Sequence, residues 1–157
     1  MATHLVLDTN LFLLLIVGLA DARFIASHDR TRAYELENFE LLKKLVSPFD
    51  GFVMSQAVLA ETSNLMRQYR EPGRSKISNV FRELVRDSRE VQIKSAAAVD
   101  RDEFLWLGLT DCVLLEMQKD ELVFLTADAN LYRAAYAGGG YAETWNFNHI
   151  REAERKL

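Results

Sequence analysis

The sequence predicts a three-layer α/β fold with a parallel sheet, in one domain. Apolar runs at 5–7, 52–54 and 122–126 are separated by segments whose apolar residues recur at helical spacing. Short strands alternating with helices stack a parallel sheet between two helical layers. Two of the runs are followed by an acid, Asp8 at once and Asp128 after Ala127, as strands are when a site lies at their carboxyl ends. A chain of 157 residues is most simply one domain, and with 49% of them hydrophobic it has ample material for one core.

Each element has its own local reason. Residues 4–8 form the first strand, and 10–19 a helix that is apolar nearly all round and therefore packs deep against the sheet. The polar stretch 22–32 ends as a loop. Helical spacing resumes over 33–46, where Leu36, Phe39, Leu42 and Val46 share a stripe and Pro48 closes the helix. Asp50-Gly51 marks a turn into a strand at 52–54. Ser55 caps a helix that carries Glu61 and runs to about residue 68. After the break at Pro72-Gly73, Ile77, Val80, Phe81, Leu84 and Val85 follow the pattern of an amphipathic helix. That stripe is either core or a helix-pairing surface. Residues 91–93 are a short strand, 99–107 a helix, and a further helix opens at Thr110 or Asp111. The strand at 122–126 is followed by a helix from Asp128 to the three glycines at 138–140. A strand at 142–145 and a charged helical tail over 148–157 complete the chain.

The totals exclude several classes. A single cysteine, Cys112, makes no internal disulfide and suits a reducing cytoplasm. The apolar stretch 11–20 is shorter than the roughly 20 residues of a membrane span, and no basic segment precedes it as in a signal peptide. The expectation is a protein without a membrane segment. A net charge of −4 neither supports nor excludes a polyanionic substrate, because several acids would be neutralised if they share a cation.

Four acids are the candidates for chemistry: Asp8, Glu61, Asp111 and Asp128. Singly, each has a structural explanation, as an Asx-turn, a helix cap, a dipole partner or an exposed helical residue. Together, Asp8 and Asp128 follow strands at one edge of the sheet, and Glu61 and Asp111 lie on helices that begin there. Gathered carboxylates raise one another's pKa. A hard divalent cation relieves that crowding, and an all-oxygen set suits Mg²⁺ or Mn²⁺. Such a site suits metal-assisted hydrolysis of a phosphodiester, with no side-chain nucleophile. No HExxH or Cys/His cluster favours zinc, and no phosphate-binding loop, dinucleotide fingerprint or GxSxG elbow is present. Aspartyl-phosphate phosphatases carry a second aspartate two residues after the first, where this chain has Asn10. His4, His28 and His149 form no catalytic pattern, and only His28, among arginines, is placed to touch phosphate.

At this point the chain resembles a PIN domain. The likeness rests on Val6-Leu7-Asp8-Thr9-Asn10, Ala60-Glu61, Leu109-Thr110-Asp111 and Leu125-Thr126-Ala127-Asp128, in that order and spanning nearly the whole chain. The resemblance implies a PIN-like parallel sheet flanked by helices. It also implies a ribonuclease in which Asp8, Glu61, Asp111 and Asp128 hold Mg²⁺ or Mn²⁺, with Asn10 and Thr126 as secondary polar residues. Small members of the family are toxins of toxin–antitoxin pairs, which implies an RNA substrate, a homodimer and an antitoxin partner in the cytoplasm. The segment 22–35 is long and charged for a minimal toxin, and the likeness is shared with PIN domains of RNA processing and phage defence.

Arginines that would carry RNA phosphates are Arg23, Arg30 and Arg32 in the polar segment, Arg67 beyond Glu61, and Arg133 beside Tyr132. Each is equally readable as an ordinary surface arginine. Two other functions compete with the ribonuclease. One is a catalytically silent PIN-like module that binds RNA or protein, its acids serving only as caps. The other is a DNA nuclease of flap type, for which the chain is short. The nuclease reading expects Asp8→Asn and Asp111→Asn to remove turnover and leave the fold intact.

Overall fold

The computed structural model describes residues 2–157. In chain order the elements are β1 (His4–Leu7), α1 (Thr9–Ala20), α2 (Phe24–Ser27), α3 (Leu36–Val46), β2 (Gly51–Ser55), α4 (Gln56–Met66) and α5 (Gly73–Asp87). There follow β3 (Arg89–Val91), α6 (Ser95–Val99), α7 (Phe104–Leu107), α8 (Leu109–Glu116), β4 (Leu122–Thr126), α9 (Ala129–Gly138), β5 (Glu143–Asn146) and α10 (Phe147–Arg155). The five strands are all parallel, in the order β3-β2-β1-β4-β5.

Successive strand residues point to opposite faces, and the core divides accordingly. Leu5, Leu7, Phe52, Met54, Val123 and Leu125 pack with α1 and its neighbours. Val6, Val53, Leu122 and Phe124 pack with Cys112, Leu114 and Leu131 of α8 and α9. Both faces of the sheet are covered, which is why residues 5–7 of β1 and 122–125 of β4 are continuous apolar runs instead of alternating. Helix α4 serves both layers: Leu59 and Met66 belong to one core and Val58 to the other.

Helix α1 has every residue from Leu11 to Gly18 buried, so it has no solvated face. Gly18 is where it meets α3. A Cβ built there would stand 2.4 Å from the ring of Phe39, itself buried. Gly18→Ala therefore lowers stability by about 1–3 kcal/mol through overpacking, although alanine is the better helix former by about 1 kcal/mol. Urea unfolding at equilibrium checks the sign, since a propensity effect alone would raise the midpoint.

The elements differ from expectation where tertiary contacts decide. The helix expected over 99–107 is two short helices, α6 and α7. Between them, the charged residues 100–103 offer no apolar side chain to hold a further turn on the core. Arg101 instead pairs with Glu103 at 3.3 Å and Glu116 at 3.6 Å. The third strand lies at 89–91 instead of 91–93, set by its register of Val53 with Arg89 and Ser55 with Val91. Helix α3 begins at Leu36, not 33, because the buried Asn38 accepts the Glu35 N–H at 2.9 Å and fixes the start. The last helix begins at Phe147, which is fully buried, after Asn146 caps it. The stripe of α5 is core: Ile77 is buried, and Val80, Phe81, Leu84 and Val85 pack half-buried against the same cluster. Among the described residues no helix is long and apolar enough to cross a membrane.

The strand order places a crevice. From β1 the chain moves outward through β2 to β3, then returns to the other side of β1 for β4 and β5. The order reverses between β1 and β4, and open α/β sheets bind ligands outside the carboxyl ends of the strands at such a switch point.

Candidate functional site

Leu7 of β1 lies in register with Leu125 of β4, so Asp8 and Thr126 emerge side by side at the switch point. Asp8 is 4% exposed and caps α1, its Oδ1 accepting the Leu11 N–H at 2.9 Å. Its Oδ2 accepts the Ala127 N–H at 2.9 Å and the hydroxyl of Thr126. The same hydroxyl oxygen accepts the Asp128 N–H at 3.0 Å. Thr126 thus ties the carboxylate after β1 to the backbone before Asp128. Asp128 caps α9 through the Leu131 N–H at 2.9 Å and stands exposed. Asn148 steadies the loop between them by donating to the Ala127 carbonyl at 2.9 Å.

Burial raises the pKa of Asp8, and the nearby charge of Asp128 raises it further; the three hydrogen bonds act in the opposite direction. Asp111, half-buried in the first turn of α8, is pushed up to about 7. Burial is the largest cause, followed by the negative charges of Asp128, Asp8 and Glu61. All four acids therefore act on one place, and Asp111 is the member that feels the other three. Glu61 comes from α4, which begins at the carboxyl end of β2 under the cap of Ser55. Asn10 is exposed at the start of α1, and its side chain makes no hydrogen bond among the described residues.

Among the described residues no group of three or more His, Cys, Asp or Glu side chains is placed to hold a metal ion. The carboxylates are near enough to shift Asp111 but not drawn together to ligand distance. Their chemistry still fits a hard divalent cation. The donors are all carboxylate oxygens, and the raised pKa of Asp111 reflects negative charge that a cation would offset.

Tyr34 is a neighbour that the sequence did not single out. Its phenol is pushed up to about 12, first by burial and then by the charge of Asp8, with Arg151 acting oppositely. The Arg151 guanidinium lies over the Tyr34 ring at 5.7 Å. Helical spacing over 33–46 gave no sign that this residue lies near Asp8.

The expected phosphate-binding groups scatter. His28 is fully buried, accepts the Arg30 N–H at 3.1 Å and stacks on Tyr69, so it supports the polar segment and does not touch phosphate. Arg23 is exposed but bound to Asp21 by two hydrogen bonds at 3.0 and 2.7 Å. Arg30 donates to Gln68 at 3.0 Å, and Arg32 pairs with Asp29 at 3.5 Å. Arg133 is exposed on α9, next to Tyr132, whose ring meets those of Tyr136 and His149. Arg67 ends α4. It lies about 120° around the helix from Glu61, at 100° per residue, and so does not share its face.

Fold and site together define a parallel α/β protein with a group of acids at the topological switch point of its sheet. No family model, curated protein or solved structure matches the chain.

Proposed function

We propose that the chain is a metal-dependent endoribonuclease of PIN-like type, with Asp8, Glu61, Asp111 and Asp128 holding Mg²⁺ or Mn²⁺. The observation that carries this reading is the carboxyl of Asp111, held near 7 by burial and three other acids. A bound divalent cation would polarise a phosphoryl oxygen and make water a better nucleophile at neutral pH. The protein supplies the rest. Asp8 is held in one orientation by Leu11, Thr126 and Ala127, so its carboxylate is preorganised. Asp111 would exchange its proton for the cation, which makes affinity rise with pH through neutrality. Glu61 and Asp128 are exposed and stand where substrate enters.

The motif resemblance extends the reading to the toxin of a toxin–antitoxin pair, acting on RNA in the cytoplasm as a homodimer and held by an antitoxin. A catalytically silent module has one observation in its favour: Asp8 and Asp128 do cap α1 and α9. It leaves the crowding at Asp111 without a purpose.

The test is incubation of the protein with a fluorogenic single-stranded RNA and the matching DNA, in Mn²⁺, Mg²⁺ or EDTA. Cleavage of RNA that requires metal is the expected result. RNA left intact in every condition, by a protein that also binds no Mn²⁺, would move the assignment to the silent module.

A further inference from the structure

Helices α4 and α5 enclose a groove of about 550 Å³ on the side of α4 turned away from Glu61. Four arginines line it: Arg67 from the end of α4, and Arg74, Arg82 and Arg86 from α5. Residues 74, 78, 82 and 86 follow one another at intervals of four, so they form a single row along α5. Neighbours in that row rise by about 6 Å. Arg74 is committed to Glu71 at 2.9 Å, the one acid in the lining. Arg67, Arg82 and Arg86 make no ion pair among the described residues and are exposed. In a chain of net charge −4, three unneutralised guanidinium groups along one groove are a local reversal of sign.

We propose that this groove binds the sugar-phosphate backbone of single-stranded nucleic acid, as an anchoring track separate from the group of acids at the switch point. The choice of nucleic acid as ligand rests on the ribonuclease reading. The lining supports it independently. Guanidinium forks bind phosphate oxygens in pairs, and their repeat along the helix suits a repeating anion. No ring is free to stack on a base: Phe81 is packed 6.1 Å from Phe12 in the core. Recognition is therefore of the backbone, not of sequence. The floor is already withdrawn into the protein, with Met66 buried and Phe81 and Val85 half-buried.

The experiment is fluorescence anisotropy of the full chain with a labelled 20-nucleotide oligouridylate in EDTA, from low to moderate salt. EDTA removes any need for cleavage, so failure of the groove and failure of the nuclease reading are separately visible. Arg82→Ala/Arg86→Ala should weaken binding about tenfold or more and make the salt slope shallower by about 1.4, for two phosphate contacts on a single strand. Arg155→Ala/Lys156→Ala removes the same charge from the last helix and should leave affinity within about twofold. Both pairs of residues are exposed, and thermal melts confirm that the variants are folded. Equal loss in the two double variants, no loss in the groove variant, or no binding by the wild-type chain would each overturn the proposal. Polyglutamate displacing the oligonucleotide at equal charge concentration would overturn it in favour of an acidic protein partner.

Discussion

Asp111→Asn is expected to lower metal-dependent RNA cleavage at least a hundredfold, with the fold intact. Loss of one group that binds only through charge at a metal site typically costs on the order of several kcal/mol in the transition state, and each 1.4 kcal/mol is tenfold in rate. Asp111 is the informative position because its side chain makes no hydrogen bond among the described residues, so asparagine disturbs nothing but charge. Asp8→Asn is also expected to stop turnover, yet it is the poorer probe. The Asp8 Oδ2 accepts from both Ala127 and Thr126, and an amide nitrogen in that place leaves the Ala127 N–H without an acceptor. An unsatisfied buried donor costs about 1–3 kcal/mol, so this variant loses stability as well as activity. Asp111→Asn is therefore the variant in which an intact fold is expected without that hydrogen-bond loss. Initial rates on a fluorogenic RNA, read beside urea melts of the same preparations, separate the two effects. Full activity in Asp111→Asn would remove that residue from the site.

Asp111→Asn is also expected to be more stable than the wild type at pH 8 in EDTA, by about 2–4 kcal/mol. The sign follows from linkage. In the unfolded chain this carboxyl loses its proton near 3.8, and in the folded chain near 7. Between those values the folded state holds the extra proton. Unfolding then releases it, and stability falls as pH rises. Below about pH 4 both states are protonated and the penalty vanishes; above about pH 7 it is complete. Each unit of separation is about 1.4 kcal/mol, which caps the penalty near 4 kcal/mol. For a chain of this length the variant should melt roughly 5–10 °C higher at pH 8, and the gap should close at pH 4. Equal melting of the variant and the wild type at pH 8 would mean that neither burial nor the neighbouring acids raise the Asp111 carboxyl.

What was legible in the sequence was local. Strands β1 and β4 showed as apolar runs, and Asp8, Ser55 and Asp128 showed as caps because a cap is defined by its own few neighbours. The acids were legible as a set because two of them closely follow apolar strands. The switch point was not legible, since strand order is decided by which strands pair across long stretches of chain. The break between α6 and α7 was missed because 99–107 has enough apolar residues to suggest one helix, while the core reaches only Ala98 and, partly, Phe104 and Leu107. His28 looked like a loop residue among charges, and only the fold shows it buried against Tyr69. Arg82 and Arg86 carried a usable signal, the interval of four along an amphipathic helix. Their apolar neighbours on the same helix drew attention first.

Calorimetric titration of Mn²⁺ into metal-free protein at about pH 7.5, for the wild type and Asp111→Asn, tests the central claim most directly. The four-carboxylate reading predicts saturable binding to the wild type, with a heat that depends on buffer because a proton is released, and binding at least about tenfold weaker in the variant. Heats of dilution alone, up to millimolar Mn²⁺ in the wild type, would contradict it.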